Sequence, residues 1–172
     1  MRTTLKRKAK KVDVDILTHF DETAWAAYKA IYSESWKPEE ERADILEAFA
    51  AAEGAAGRIR LGIARADGVP VAAQFWTVEN GTAYIHKLAH IEAATPLSAG
   101  TTLSAALFEY VIDTDGVELV DFGTGSDAYK RDWMEQVRPR FRLTCLDWRQ
   151  PRAWPAIAKA FVRHLAPHNR PS

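Results

Sequence analysis

Residues 82–90, TAYIHKLAH, carry two histidines, His86 and His90, on a stretch that alternates apolar and polar side chains. A histidine titrates near neutrality, so His86 is a candidate general base; a half-buried structural histidine is the competing reading. Regular strand alternation places Tyr84, His86, Leu88 and His90 on one face and Ile85, Lys87 and Ala89 on the other. Roughly 13 Å of strand would then separate the two imidazoles. One metal ion cannot bridge that gap, and with no third ligand spaced near either histidine, no metal site is expected.

A second stretch, residues 121–134, reads DFGTGSDAYKRDWM. Its first three letters match a kinase metal motif, but the glycine-rich loop, strand lysine and HRD loop of a kinase are missing. Nor is it a G-x-G-x-x-G nucleotide loop, because residue 128 is Ala. Gly123 and Gly125 fit a sharp strand-to-helix turn that lets backbone pass close to a ligand or another chain. Tyr129 could protonate a departing thiolate and Lys130 could meet a phosphate or an acidic acceptor. A satisfied tyrosine hydroxyl and a solvated lysine are the plainer alternative.

The third group lies in residues 94–102, ATPLSAGTT, between an expected strand and an expected helix. A helix start rich in small and hydroxyl residues leaves backbone N–H groups without helical partners. With the helix dipole, those groups can hold a pyrophosphate without any basic side chain. An ordinary Ser or Thr cap after a proline turn would give the same pattern.

The elements that must position these groups follow from period and turn chemistry. Residues 21–36 have helical spacing (Trp25, Tyr28, Ile31, Tyr32) behind an Asp21 cap, and Pro38 ends them. A second helix is expected from the acidic run 39–41 through Ile45, Leu46 and Phe49 to Gly54 and Gly57. Residues 58–66, 69–79 and 82–90 read as a three-stranded antiparallel meander, joined by the turn pairs Asp67-Gly68 and Asn80-Gly81. A helix over 98–113, a strand over 117–122, a short helix over 126–136, a strand over 140–148 and a helix over 154–165 complete the order ααβββαβαβα. That is a mixed α/β domain whose sheet changes from antiparallel to parallel.

Composition bounds the function. The 172 residues suit one domain, expected over 12–172 behind a basic flexible tail at 1–11. Lys plus Arg and Asp plus Glu number 23 each, so no net field draws the chain to nucleic acid or an anionic membrane. The basic start has no apolar stretch behind it, and a cytoplasmic location is expected. The single cysteine, Cys145, sits in the alternating run 141–146 and is expected to be a buried small hydrophobe.

Taken in order, four blocks resemble the GCN5-related N-acetyltransferase (GNAT) fold: Val71 to Phe75, Ile85 to His90, Leu97 to Leu103, and Val120 to Trp133. The likeness spans residues 20–165 and is narrower toward the acetyltransferase half of CelD/BcsL-like proteins, relatives of the FemAB aminoacyltransferases. It implies that Ser98, Ala99, Gly100, Thr101 and Thr102, with Leu97 before them, hold the pyrophosphate of coenzyme A. The strand at Leu88, Ala89 and His90 would offer its backbone to the pantetheine arm. Asp121 and its turn would lie beside the acyl group, with Tyr129 near the sulfur. The chain departs from the family's phosphate signature, with Ala94 or Thr95 where a basic or amide residue stands and Thr102 in place of the second small residue. CelD-like proteins carry Pro and Asp where this chain has Ala99 and Ser126, so a carrier-protein phosphopantetheine is an alternative donor.

The expected activity is direct acyl transfer from a coenzyme A thioester to an amine on a small-molecule or sugar-linked acceptor. His86 or Asp121 is the base, Tyr129 the acid, and Lys130 a phosphate or acceptor contact. No metal, nucleic acid or membrane partner is expected, and a homodimer would complete a cleft that longer relatives build with a preceding domain. The alternatives are a non-catalytic acyl-CoA or carrier-protein binding module of polysaccharide or envelope biosynthesis and, more weakly, nucleic-acid binding through the tail.

Overall fold

The computed structural model describes residues 11–125 and 128–165. The chain forms two compact units, the first ending at Lys130 and the second beginning at Arg131. In the first, β1 (Asp13–Leu17) leads into α1 (Glu22–Ser33) and α2 (Ala43–Ala55). The strands β2 (Ile59–Ala66), β3 (Val69–Glu79) and β4 (Thr82–His90) follow, then a 3-10 turn (Glu92–Leu97), α3 (Ala99–Asp113) and β5 (Leu119–Asp121); a second 3-10 turn (Ala128–Asp132) begins in the first unit and ends two residues into the second. One sheet holds the strands in the order β1-β2-β3-β4-β5; all neighbours are antiparallel except β4 and β5, which are parallel.

Local chemistry explains most boundaries. Asp21 accepts a hydrogen bond from the Ala24 N–H at 2.7 Å and caps α1. Asp67 and Gly68, like Asn80 and Gly81, both take positive φ, which matches a two-residue hairpin turn to the strand twist. The antiparallel meander and the parallel fifth strand expected from the sequence are thus formed.

Each face of the sheet carries its own core. α3 packs Leu103, Leu107 and Val111 against Ala64, Ala72 and Trp76. On the other face α1 and α2 pack Trp25, Tyr28, Ile31 and Ala50 against Ile59, Leu61, Ile63 and Phe75. Alternation along β2 and β3 sends successive side chains to opposite cores. Gly62 lets α3 approach closely: a Cβ there would stand 2.9 Å from Leu103 Cδ1 and from Leu107 Cδ1. Arg60 beside it reaches around the end of α3, donating from Nε and Nη2 to the two Asp115 carboxylate oxygens at 2.8 and 2.7 Å.

Several expectations are corrected. β1 was not anticipated; its outward Asp13 and Asp15 hide a strand whose inner side chains meet the core. α2 begins at Ala43 rather than in the acidic run, where Glu40 pairs with Lys87. The helix expected over 126–136 is a 3-10 turn, Ala128–Asp132, with residues 126–127 outside the described residues. In the second unit a 3-10 turn (Pro151–Ala153) leads into α4 (Trp154–Leu165). No strand forms over 140–148 among the described residues: Phe141 is 91 % exposed, and Cys145, expected to be buried, is exposed too. Alternation alone does not hold a strand without a neighbour to pair with. The basic tail falls, except for Lys11, outside the described residues. Among the described residues no helix is long and apolar enough to cross a membrane.

Candidate active site

The site begins with an interruption in the β3–β4 ladder. Phe75 pairs with Lys87 and Trp76 with Ile85, so His86 is an extra residue, a β-bulge. β5 meets β4 at Thr82, Ala83 and Tyr84, opposite Leu119, Val120 and Asp121, and goes no further. Beyond Tyr84, residues 85–90 pair with β3 alone among the described residues. Their other edge is open beside the end of β5, and it presents backbone donors and acceptors.

The bulge also reassigns the faces of β4. His86 and Lys87 both turn toward α1 and α2, whereas His90 lies opposite Ala72, on the α3 side. His86 and His90 therefore face opposite ways, contrary to regular alternation. The His86 ring lies between Phe75 and Phe49, with centroids 5.1 and 5.2 Å away, and its Nε2 is 2.8 Å from the Thr77 hydroxyl. Burial among these rings pushes its pKa below the usual histidine value; the Glu53 carboxylate opposes the shift and the Lys87 ammonium adds to it. His90 packs against Trp36, centroids 4.4 Å apart, and is lowered chiefly by burial as well, with Glu92 opposing and Lys37 adding.

α3 starts where β4 ends. Ser98 adopts the left-handed conformation (φ 55°) and no side chain caps the helix; its first backbone bond runs from Thr102 N to Ser98 O. The N–H groups of residues 99–101 precede that bond. Thr101 is exposed and Ser98 and Gly100 are half-buried, so the helix start is open. Thr102 is buried and its hydroxyl has no hydrogen-bond partner. A Cβ on Gly100 would come 3.4 Å from His90 Nδ1, so glycine lets the helix start lie on the end of β4. From below, Gln74 Nε2 donates to the Gly100 carbonyl at 3.2 Å and to the Ser104 hydroxyl at 2.7 Å, while Trp76 Nε1 donates to Gln74 Oε1 at 2.9 Å.

At the end of β5 the Asp121 carboxylate accepts from the Gly123 N–H at 2.6 Å, and Gly123 and Gly125 take positive φ. Lys130, expected as an anion contact, is 8 % exposed and donates to the carbonyls of Phe122 and Thr124 at 3.2 and 2.7 Å. It closes the glycine turn from inside. Tyr129 is 44 % exposed on the same 3-10 turn.

The fold thus gathers Leu88, Ala89, His90 and the α3 start at residues 97–102, with Asp121 at the end of the neighbouring strand. Sequence reasoning gave no role to Thr77 or Gln74. The amide interrupting the apolar run 71–76 is the signal that could have marked Gln74. It also missed a cavity of about 450 Å³ between α1 and α2, lined in part by Tyr28, Tyr32, Glu39 and Glu40. Among the described residues no cluster of His, Cys, Asp and Glu could hold a metal ion.

Comparisons with known proteins agree with this architecture. Residues 1–131 match the family described as "Acetyltransferase (GNAT) domain", a span that covers the first unit. No curated protein matches the sequence. Among solved structures, the fold is similar to the aminoglycoside acetyltransferase meta-AAC0020 from an uncultured soil metagenomic sample, in complex with trehalose. That match has 16 % identity and a TM-score of 0.56 and covers 79 % of this chain and 97 % of that one. It is also similar to AAC(6')-Iy in complex with a bisubstrate analog, CoA-S-monomethyl-acetylneamine (16 %, TM-score 0.58, 78 % and 99 % covered). A third is the ribosomal-protein-S18-alanine N-acetyltransferase from Escherichia coli (16 %, TM-score 0.55, 70 % and 72 % covered). Together the mixed five-stranded sheet and the family match make this chain an acetyltransferase belonging to the GNAT domain family.

Proposed function

We propose that the protein transfers an acetyl or longer acyl group from a coenzyme A thioester to an amine, by direct attack with both substrates bound. The observation that carries this reading is the open edge of β4 at residues 85–90, lying next to an uncapped helix start. AAC(6')-Iy, similar in fold, is described with a coenzyme A bisubstrate analog. In this chain the N–H groups of residues 99–101 suit a pyrophosphate, and Leu88, Ala89 and His90 present backbone to an extended pantetheine arm. The four sequence blocks favour the CelD/BcsL-like branch of the family.

His86 serves as the base. Its lowered pKa keeps it neutral near pH 7, and in the tautomer that donates Nε2–H to Thr77, Nδ1 holds a lone pair for the proton of the incoming ammonium. Asp121 is the weaker candidate because its carboxylate already binds the Gly123 N–H. The amine nitrogen then bonds to the acyl carbon and the carbon–sulfur bond breaks. The thiolate takes a proton from Tyr129, and the second proton lost by the amine leaves through solvent. Lys130 acts by holding the glycine turn beside the acyl group. Most of the rate comes from holding the two reactants in place, since a thioester is already activated.

The test is incubation with acetyl-CoA and a panel of primary amines, following thiol release. Release that depends on an amine and is lost in His86→Gln is expected. Coenzyme A binding without release for any amine or acyl length would instead identify a non-catalytic binding module.

A further inference from the structure

The chain is neutral as a whole but not in its parts. Residues 1–130 hold 14 Lys and Arg against 20 Asp and Glu, whereas residues 131–172 hold nine against three. The excess sharpens toward the end: residues 148–172 contain five, Arg149, Arg152, Lys159, Arg163 and Arg170, and no Asp or Glu. The balance of the whole chain, which argued against a membrane partner, hides this asymmetry. A segment of one sign attracts an anionic surface whatever the total charge.

α4 gathers the apolar side chains of that segment on one side. Pro155 sits in its first turn, where the missing N–H costs no helix bond. Trp154, Ile157, Ala158, Phe161 and Val162 follow the spacing of a single helix face and, with Trp148, line a groove of about 530 Å³ that contains no charged or hydroxyl side chain. Trp148, Trp154, Phe161 and Val162 are nonetheless between 60 and 70 % exposed. Lys159 falls on the opposite side by helical spacing. At the start of the helix the Trp154 indole donates to the Trp148 carbonyl at 2.9 Å, and the Arg149 guanidinium lies 5.6 Å from the centre of the Trp148 ring. Two tryptophans and an arginine are thus held together at one end of the apolar stripe.

Such a groove offers a small polar ligand little to orient it, but acyl chains need no such contacts. An exposed stripe of Trp, Phe and Val on a helix whose only charges are positive suits a membrane interface. The rings enter among the acyl chains, the indoles rest at headgroup depth and the cations meet anionic headgroups. The helix lies on such a surface rather than across it: its 12 residues reach about 18 Å, well short of the roughly 30 Å hydrocarbon core. A helix this short is marginal in water by itself, so a surface that covers its stripe also stabilises it.

We infer that α4 binds the surface of an anionic lipid bilayer, with Trp154, Phe161 and Val162 inserted and Arg149, Arg152 and Lys159 against the headgroups, and so docks the acetyltransferase on a membrane. This binding needs neither acyl donor nor amine, so it stands or falls apart from the transfer reaction.

The experiment floats the full chain with vesicles of phosphatidylcholine alone and of phosphatidylcholine with about 30 % phosphatidylglycerol, for the wild type, Phe161→Ala and Lys159→Glu. The wild type is expected to bind the anionic vesicles at least about tenfold more tightly than the neutral ones, and to lose that advantage as salt rises from about 0.05 to about 0.5 M. Each variant is expected to bind the anionic vesicles about tenfold more weakly. Both side chains are exposed in the free protein, so unfolding temperatures and thiol release from acetyl-CoA should match the wild type, and a folding defect cannot mimic the loss. Wild-type binding that is absent, that ignores headgroup charge, or that either variant leaves unchanged overturns the assignment. A dimer that Phe161→Ala dissociates, found in sedimentation without any vesicle binding, gives the stripe to a second copy and rejects the lipid surface. Salt-sensitive binding to an oligonucleotide without vesicle binding rejects it as well.

Discussion

The Gln74 amide donates to the Ser104 hydroxyl at 2.7 Å and accepts from the Trp76 indole at 2.9 Å, fixing a buried polar side chain of β3 to the first turns of α3. Its remaining proton goes to the Gly100 carbonyl. The helix start proposed to hold the donor's phosphates is thereby fastened to the middle of the sheet.

Gln74→Leu should loosen that fastening. The lost bonds leave Trp76 Nε1 and Ser104 Oγ without their partner in a buried place, at a cost of about 1–3 kcal/mol of stability. In steady-state kinetics KM for acetyl-CoA should rise about tenfold while kcat changes less than about twofold. Equal losses in both, or a KM change for the amine alone, would separate Gln74 from donor binding.

His86 predicts a pH profile. If it is the base, kcat/KM should rise with pH through a midpoint below the ordinary histidine value of 6.5 and then level off. His86→Gln should lower the plateau about 10²–10⁴-fold and erase that limb. A limb that survives in the variant belongs to another group, and Asp121→Asn would be examined next.

The same depressed values make stability pH-dependent. Below about pH 6.5 the unfolded chain binds protons at His86 and His90 more readily than the folded one does. Their contribution is complete above that pH and falls away as acid is added. Urea midpoints measured from pH 7.5 to 5 should decline, and His86→Gln should flatten the decline.

Arg60 and Asp115 form a nearly buried bidentate pair, with side chains 11 % and 10 % exposed. Arg60 also donates to the carbonyls of Gly57 and Ile59. Asp115→Ala leaves a guanidinium without its counter-charge and should cost about 3–5 kcal/mol in chemical denaturation. The double variant Arg60→Met, Asp115→Leu should lose less than Asp115→Ala alone, because no charge is left buried.

Gly62→Val places methyl groups where Leu103 and Leu107 now lie and should push α3 outward, costing about 1–3 kcal/mol. Displacing α3 also moves residues 98–102, so coenzyme A affinity measured by calorimetry should fall in step. An unaltered affinity would show that the helix start is held independently of its packing against β2.

Much of the fold was legible because its signals are local. Asp67-Gly68 and Asn80-Gly81 encode their own turns, and Asp21 its own cap. What escaped depends on partners distant in sequence. β1 is recognisable only beside β2, where Arg65 reaches Asp15 at 3.2 Å. The extra residue at His86 is a property of two strands, and TAYIHKLAH alternates as if it were regular. Residues 140–148 show the converse, a strand pattern with no strand to receive it. Lys130 looked like a free cation because the carbonyls it serves become visible only once the turn has closed.

The bulge in β4 has a further consequence for changes in chain length. Every cross-strand pair between β3 and β4 would survive deletion of His86, since Ile85 and Lys87 already oppose consecutive residues of the partner. Elsewhere in that strand, losing one residue would send everything after it to the wrong side of the sheet. The protein can therefore gain or lose this bulge at a single codon, with both hydrophobic layers left in place.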